Sequence, residues 1–453
     1  MLKMFFAHSA HFALYDEARL PARQRSGLNY MMIASILGNL FIVVCAGGTA
    51  AMVGLATHFG AGDMGLGVLV AIPQVAAILQ LPFSALVNRT RRRKRYMLSI
   101  GLFSRILWLP IAFLPLLTEG RIGLGLLIGL LALSSALGAV INVCWFSWFS
   151  DMAPIRIRGR WMSFRDLYIS VSGLLFALLV SLLLDVLPGN LRFPIVFALG
   201  ALMGIGDMLC YARVDDPEPQ HMPPSRIGKM LGDILKDKPF MRFTLMWTAW
   251  CFTANMAGAY LTPYAMNHMG LSFLQYTLFG TVTASMATAV VIPRWGRILD
   301  HFGSRNVMLI CCYAASLSQV FYLFSSKGNI WPTFLHNLIG ATFWSGSNLA
   351  ANSMQMSLSS DDTRPSYIAM FSCVTALAGT ALGTLCGGWF LGACEKYAFF
   401  TGSFDRYKAL VALAVALRFT IVMVLGPGLK RDHPEGVKDV TRALFKRKRG
   451  RIG

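Results

Sequence analysis

Charged side chains are scarce in this sequence of 453 residues. They make up 14% of the chain, whereas hydrophobic residues make up 55%. A soluble domain carries about a quarter charged residues, and so few charges cannot cover a surface that faces water. We therefore expect lipid to be the solvent and the chain to be an integral membrane protein.

The sequence also lacks the motifs of catalysis and of metal binding. It contains no HExxH, no phosphate-binding loop and no nucleophile elbow, and its nine cysteines have no CxxC spacing. We expect no catalytic site, no metal site and no cofactor. A membrane-embedded enzyme needs clustered His, Asp, Glu or Cys, so that function is the least favoured.

Twelve apolar stretches are long enough to cross a membrane as helices, which takes about 20 residues each. We number them spans 1 to 12 in chain order. They cover residues 30–57, 64–87, 97–117, 122–148, 162–187, 193–212, 243–267, 273–293, 306–325, 330–357, 366–392 and 408–428.

Lysine and arginine fix the orientation of these spans. With the N-terminus inside, the inner segments carry 33 basic residues and the outer loops carry six. This asymmetry predicts that both termini are cytoplasmic, and it supports the count of twelve because one missed helix would invert every later loop. The net charge of +20 therefore indicates contacts with anionic lipid headgroups at the inner loops, not nucleic acid.

The longest inner connection divides the chain into two halves. It spans residues 213–242, and its apolar residues from Ile227 to Leu235 recur at amphipathic helical spacing. We expect a cytoplasmic N-terminal segment at 1–27, a six-helix bundle at 28–213, a cytoplasmic linker with an amphipathic helix at 214–242, a second six-helix bundle at 243–429 and a basic cytoplasmic tail at 430–453.

Short inner loops recur in both halves. The loop after span 8 contains Gly296, Asp300, Gly303 and Arg305. In this loop Gly296 would allow close helix packing, Asp300 would accept hydrogen bonds from a helix N-terminus, and Gly303 would turn the chain.

The loop after span 2 is a degenerate copy of this pattern that includes Asn88 and Arg89. A second pair of loops follows spans 4 and 10 and includes Arg158 and Arg364. We expect all of these loop residues to take part in gating.

The spacing in the loop after span 8 resembles the signature of the major facilitator superfamily, and the resemblance covers essentially the whole chain. It implies an all-α membrane protein of twelve transmembrane helices in two pseudo-symmetric six-helix bundles. It also implies a secondary active or facilitative transporter that moves a small organic solute by alternating access, with a cavity lined by spans 1, 4, 7 and 10.

These four spans carry neutral polar and aromatic residues but no charge well inside the membrane. The candidate substrate-cavity residues are Asn39, Asn142, Trp145, Asn255, Tyr260, Trp344, Asn348 and Asn352. Such a lining suits a neutral, amphipathic or lipophilic substrate. For any single asparagine the alternative is a hydrogen bond between helices.

Three charges lie well inside spans, away from the span ends. Arg105 and Asp207 have matching depths in spans 3 and 6, so they predict either a fixed ion pair or a protonation site coupled to transport. Arg418 in span 12 has no acidic residue at its depth in the second half. It would bind an anionic group or reach a backbone carbonyl or water.

Span 11 carries Gly379, Gly383, Gly387 and Gly388 along one face, which predicts tight packing against another helix. We expect a monomer in a bacterial cytoplasmic membrane, with a small-molecule substrate and protons or another ion as coupling partners. The alternative is a transport-inactive sensor or a lipid-handling relative of the same fold.

Overall fold

A computed structural model describes residues 15–16, 18–80, 83, 93–216, 232, 234–359, 364–397 and 404–430 of the chain. All regular structure in these residues is helical. Within them nine helices are long and apolar enough to cross a membrane. The expected all-α membrane fold is therefore confirmed. The predicted linker helix and the basic tail lie largely outside the described residues.

Helices cover all or part of each predicted span, and we keep the span numbers for them. Spans 1 to 6 are Ala22–Cys45 with Ala50–His58, Asp63–Ala76 with a 3₁₀ turn at Ala77–Leu79, Arg93–Ile106 with Trp108–Leu117, Gly120–Met152, Ile155–Val186 and Arg192–Ala212. Spans 7 to 12 are Lys238–Asn267, Phe273–Phe302, Ser304–Ser318 with a 3₁₀ turn at Gln319–Phe324, Trp331–Ser357, Arg364–Lys396 and Arg406–Leu425. Spans 8 and 11 each contain a π-helical segment, at Thr277–Val282 and Thr375–Ala381.

Spans 2, 7 and 10 are not among the nine apolar helices of the described chain. Span 2 is described only as the shorter apolar helix Asp63–Leu79. Spans 7 and 10 have 30 and 27 residues, which is long enough, but asparagine, serine and threonine recur along them. The resemblance assigns both of these spans to the substrate path, where polar residues are expected.

The described chain falls into two compact units. Unit 1 holds the described residues of Met1–Ala61 and Val75–Pro224, and unit 2 holds those of Gly62–Gln74 and Ser225–Gly453. The division differs from the predicted bundles at one segment, because Gly62–Gln74 belongs by sequence to the first half. Its helix passes through Pro73 and gives way to the 3₁₀ turn at Ala77, so the unit boundary coincides with a break in span 2.

Each unit has an aromatic core of its own. In unit 1, Trp148 and Trp161 are fully buried, and the ring of Phe149 lies 4.7 Å from that of Trp161. In unit 2, Trp250 is fully buried and Phe243 stacks on Phe371 at 5.1 Å. Burial of such rings stabilises a helix bundle through close packing.

The glycine stripe of span 11 packs directly on span 7. A Cβ atom added to Gly383 would lie 2.3 Å from the carbonyl oxygen of Phe252, and one added to Gly387 would lie 2.0 Å from that of Met256. Only glycine allows two backbones to approach this closely. The predicted tight packing is confirmed, and its partner is span 7.

One buried arginine joins the ends of three unit 1 helices. Arg93, at the start of span 3, is 1% exposed and pairs with Asp151 at the end of span 4. Its Nε also lies 2.8 Å from Oδ1 of Asp216, just after span 6, and its Nη1 donates to the carbonyl oxygen of Ser147 at 3.0 Å. The charges are thereby paired and bonded, as burial requires.

Gly387→Ala should lower the apparent melting temperature in detergent, because the added methyl group overlaps a carbonyl and overpacking costs about 1–3 kcal/mol. The matched control is Gly392→Ala in the same helix, where an added Cβ meets nothing within 4 Å. Equal melting temperatures for the two variants would contradict the assigned role of the stripe.

Arg93→Met should destabilise unit 1 by about 3 kcal/mol, because it leaves two carboxylates without their shared cation. Arg95→Met is the control, since Arg95 is exposed two residues further along the same helix. Thermal unfolding followed by tryptophan fluorescence measures both. A melting temperature for Arg93→Met that matches the control would show that the pairs contribute nothing.

Candidate functional site

Span 10 carries a polar and aromatic stripe. Trp344, Asn348 and Asn352 recur at four-residue intervals and therefore share one face of the helix. Trp344 and Asn352 are exposed, and Asn348 is half-buried. The opposite face holds the buried small residues Gly346 and Ala350. Span 10 is thus amphipathic, although it belongs to a membrane protein.

The amide groups of the stripe have no protein partner in the described part of the chain. The helix of span 10 has 27 residues and is about 40 Å long at a rise of about 1.5 Å per residue. Asn348 lies only about 6 Å from its midpoint at Trp344, and therefore inside a bilayer core of about 30 Å that is centred on the helix. Hydrocarbon offers an amide no hydrogen bond. An accessible amide at this depth therefore points to water or a solute, which makes the stripe the best candidate binding surface.

An aromatic stack supports the stripe from behind. Trp344 stacks on the buried Trp250 of span 7, with ring centroids 4.8 Å apart and planes at 29°. The indole nitrogen of Trp250 donates to Oγ of Ser316 at 3.3 Å. Trp250 is therefore fixed in position, and Trp344 rests on a rigid platform.

Arg418 lies beneath this platform. It is 2% exposed, its guanidinium lies 6.0 Å from the Trp250 ring centroid, and its Nη2 donates to the carbonyl oxygen of Thr253 at 3.2 Å. No carboxylate of the described chain forms an ion pair with it. Of the partners expected from the sequence, the structure places a backbone carbonyl beside this cation, together with an aromatic face.

The other predicted cavity residues have structural contacts. Asn39 donates to the carbonyl oxygen of Ile169 in span 5, and Asn255 donates to that of Cys251 in its own helix. Trp145 and Tyr260 are buried. Tyr260 donates to the carbonyl oxygen of Thr384 at 2.6 Å. In this conformation Asn39 and Tyr260 each join two helices, Asn255 is bonded within its own helix, and Trp145 packs in the aromatic core of unit 1.

Asn142 is the exception in unit 1. It is exposed on span 4, one turn from the exposed Phe146, and no hydrogen bond among the described residues uses its amide. Asn142 therefore has the same property as the stripe of unit 2. Of the predicted cavity asparagines, Asn142, Asn348 and Asn352 make no hydrogen bond among the described residues, and their role in a cavity stays a prediction.

Arg105 and Asp207 form the expected buried pair within unit 1. Nη2 of Arg105 lies 3.1 Å from Oδ2 of Asp207, and the guanidinium lies 3.9 Å from the ring centroid of Phe41 in span 1. A Cβ atom at Gly38 would lie 2.8 Å from Oδ2 of Asp207, and one at Gly204 would lie 2.8 Å from Cδ of Arg105. Glycines on two neighbouring helices thus make room for the pair, which indicates a structural tie.

Arg165 lies where the inner loop after span 4 meets the predicted start of span 5, and it counts among the basic residues of that inner segment. The structure places it ten residues into the helix Ile155–Val186, half-buried. Its Nε donates to Oγ of Ser35 at 3.0 Å, and its guanidinium lies 4.7 Å from the ring centroid of Trp145. It joins spans 1, 4 and 5. The helix begins at Ile155, seven residues before the apolar stretch that predicted span 5, so the charged segment between them is helical and not a loop.

The predicted gating loops are partly described. Gly303 has φ of +80° and separates spans 8 and 9, so this turn requires glycine. A Cβ atom at Gly296 would meet nothing within 4 Å. Among the described residues no helix approaches this position closely, so the role of Gly296 in close packing stays a prediction.

The remaining loop residues have varied surroundings. Asp300 is exposed and accepts no hydrogen bond from the described part of the chain. Arg305 lies 3.5 Å from two carbonyl oxygens just after span 12, and Arg158 donates to that of Ala153. Arg364 begins the helix of span 11, but its side chain is not described, and Asn88 and Arg89 lie outside the described residues.

Comparison with solved structures shows the same fold at low sequence identity. A mutant form of the nucleoside transporter NupG has a TM-score of 0.68 at 12% identity, with 89% of this chain and all of that chain covered. A D-xylose–proton symporter has a TM-score of 0.68 at 13% identity, with coverages of 88% and 98%. A bacterial homolog to the human lysosomal transporter Spinster, inward-facing and occupied, has a TM-score of 0.67 at 14% identity, with coverages of 93% and 98%.

No curated protein sequence matches the chain significantly. The family model of the Major Facilitator Superfamily matches residues 27–384 and 255–435, which together span most of the sequence. These matches agree with the helical fold and with the resemblance carried by the loop after span 8. The chain therefore belongs to the Major Facilitator Superfamily.

Proposed function

We propose that this protein is a secondary active or facilitative transporter that moves a small organic solute by alternating access of its two helical bundles. Family membership and the transporter folds it resembles support this class. The observation that carries the proposal is the stripe of Trp344, Asn348 and Asn352, which offers hydrogen bonds and an aromatic face inside a membrane helix.

The chemistry of the stripe favours an uncharged or amphipathic solute. Asparagine amides both donate and accept hydrogen bonds, and the indole of Trp344 provides a flat apolar surface. The charge nearest to the platform, Arg418, is buried and already bonded to a carbonyl. A solute with hydroxyl, amide or ring-nitrogen groups and one apolar face would match these properties.

We infer that the protein is a monomer in a bacterial cytoplasmic membrane. The distribution of basic residues supports cytoplasmic termini and contact with anionic lipid. The basic inner segments would hold this orientation and contact the headgroups. Coupling to protons or to another ion is compatible with this scheme. The buried Asp207 serves a structural role in it, because its carboxylate is already paired with Arg105.

Replacing Asn348 or Asn352 by alanine should weaken solute binding about fivefold each, since each amide supplies about 1 kcal/mol of hydrogen bonding. The solute is first found by thermal-shift screening of neutral nucleosides, sugars and lipophilic amphiphiles. Flux into proteoliposomes then measures transport.

Asn337→Ala is the matched control, because the amide of Asn337 donates to the carbonyl oxygen of Thr333 in the same helix. An equal loss of affinity in this control would contradict the proposal that the stripe of span 10 binds the solute. Binding without any flux would favour the alternative of a sensor with the same fold.

Asp207→Asn should lower thermal stability, because it leaves the buried Arg105 without its carboxylate partner at a cost of about 3–5 kcal/mol. The response of uptake to an imposed pH gradient should stay unchanged, because the pair has a structural role. The double variant Arg105→Met with Asp207→Leu should recover most of that stability. A variant Asp207→Asn of normal stability that loses its pH response would identify Asp207 as a proton carrier instead.

A further inference from the structure

The first part of span 2 is fastened to unit 2 by a network of charges and hydroxyls. Asp63, its first helical residue, is 6% exposed. Oδ2 of Asp63 lies 3.1 Å from Nη2 of Arg406 at the start of span 12. Oδ1 of Asp63 accepts a hydrogen bond of 2.6 Å from the hydroxyl of Tyr407. One carboxylate therefore joins span 2 to span 12 through two neighbouring side chains.

The same arginine has a second acidic neighbour. Nη1 of Arg406 lies 2.7 Å from Oε2 of Glu395 at the end of span 11, and the Glu395 side chain is 64% exposed. The two carboxylates therefore differ in kind. Asp63 is buried and belongs to span 2, whereas Glu395 is solvated and belongs to a helix that is already part of unit 2.

Backbone packing continues the contact along span 2. A Cβ atom at Gly67 would lie 2.3 Å from the hydroxyl of Tyr260, and one at Gly388 would lie 3.1 Å from Cα of Met64. Glycines on both sides thus allow the helices to touch. The contact is close, and it brings two glycines against the Tyr260 hydroxyl and the backbone of Met64.

A break in the helix lies just beyond this contact. Pro73 has no backbone N–H to donate and weakens the helix around it. The 3₁₀ turn Ala77–Leu79 follows at once, and such mid-span turns often mark hinges. The boundary between the two units falls at Gln74 and Val75. Along span 2 the order is therefore the Asp63 ion pair, the glycine contact at Gly67 and the break at Pro73–Leu79.

We infer that Gly62–Gln74 is a lid, hinged at Pro73–Leu79, that seals the predicted outer face while Asp63 is bound to Arg406 and Tyr407. Release of this carboxylate frees the lid from unit 2 and opens the outer side. The inference rests on the proposed alternating access, for which the lid supplies a specific moving part. Its test needs no knowledge of the solute.

The test measures access to Ala71, which is 4% exposed and shares a helix face with Gly67. Ala71→Cys is introduced into a chain in which the exposed Cys386 is replaced by alanine. Intact cells are then treated from outside with a membrane-impermeant maleimide. A parallel chain without Ala71→Cys gives the background from the eight remaining native thiols, of which Cys210 and Cys373 are half-buried and the others buried.

Adding Asp63→Asn should speed labelling roughly tenfold, the shift expected when about 1.4 kcal/mol of charge-assisted bonding is lost. Glu395→Gln is the matched control, because it removes the other carboxylate from Arg406 and should leave the labelling rate unchanged. Tyr407→Phe keeps the ring and removes one hydrogen bond, so it gives a second reading if Asp63→Asn does not fold.

Equal labelling rates for Asp63→Asn, Tyr407→Phe and the parent chain would overturn the lid, as would equal acceleration by Glu395→Gln. Labelling only from the cytoplasmic side would overturn its outer placement. If the labelling results are as expected but the protein transports no solute, the lid is supported and the proposed transport function is contradicted. The two failures are therefore distinguishable.

Discussion

Hydrocarbon cannot accept or donate a hydrogen bond, and most polar contacts in this protein follow from that constraint. Arg105 is paired with Asp207, and Arg418 is bonded to a backbone carbonyl beside Trp250. Asn39 donates to span 5. Each of these groups would cost several kcal/mol if left alone in lipid. Their partners thus fix which helix faces meet within each unit.

The same constraint gives meaning to the few polar groups that are accessible. Asn142, Asn348 and Asn352 sit in membrane helices without a bond to the rest of the described protein. They are tolerable only where water or a solute replaces lipid. Accessibility and the lack of a hydrogen-bond partner therefore distinguish the candidate solute surface from residues such as Asn255 and Tyr260. These two are also polar side chains in membrane helices, but each is hydrogen-bonded to a backbone carbonyl.

Much of the fold could be predicted because it depends on composition. Apolar stretches of sufficient length and the asymmetry of Lys and Arg gave the spans, and the spacing of Gly296, Asp300 and Gly303 indicated the family. The glycine stripe of span 11 predicted close packing against another helix, but only the structure identifies span 7 as that helix. Matched depth also paired Arg105 with Asp207 correctly.

The candidate site was less predictable, because a sequence gives the helix on which a residue lies but not its neighbours. Asn39 and Asn142 look alike in the sequence, yet one bonds span 5 and the other is accessible. Arg165 lies among the charges at the predicted inner end of span 5, whereas the helix begins ten residues before it and places it against spans 1 and 4. The position of Asp63 in unit 2 depends on contacts more than 300 residues apart along the chain, which no local pattern contains.

The contact between spans 7 and 11 also restricts how the second unit can move. Its glycines meet carbonyl oxygens at Phe252 and Met256, so no side-chain rotamer can adjust to let one helix slide past the other. A shift of one residue, with the rotation of about 100° that accompanies it, would bring Leu382 or Cys386 against the opposing backbone. The next matching register lies four residues away, or about 6 Å along the axis. Spans 7 and 11 must therefore move together as one rigid pair of helices. Any flexibility near this pair has to come from the other helices of unit 2.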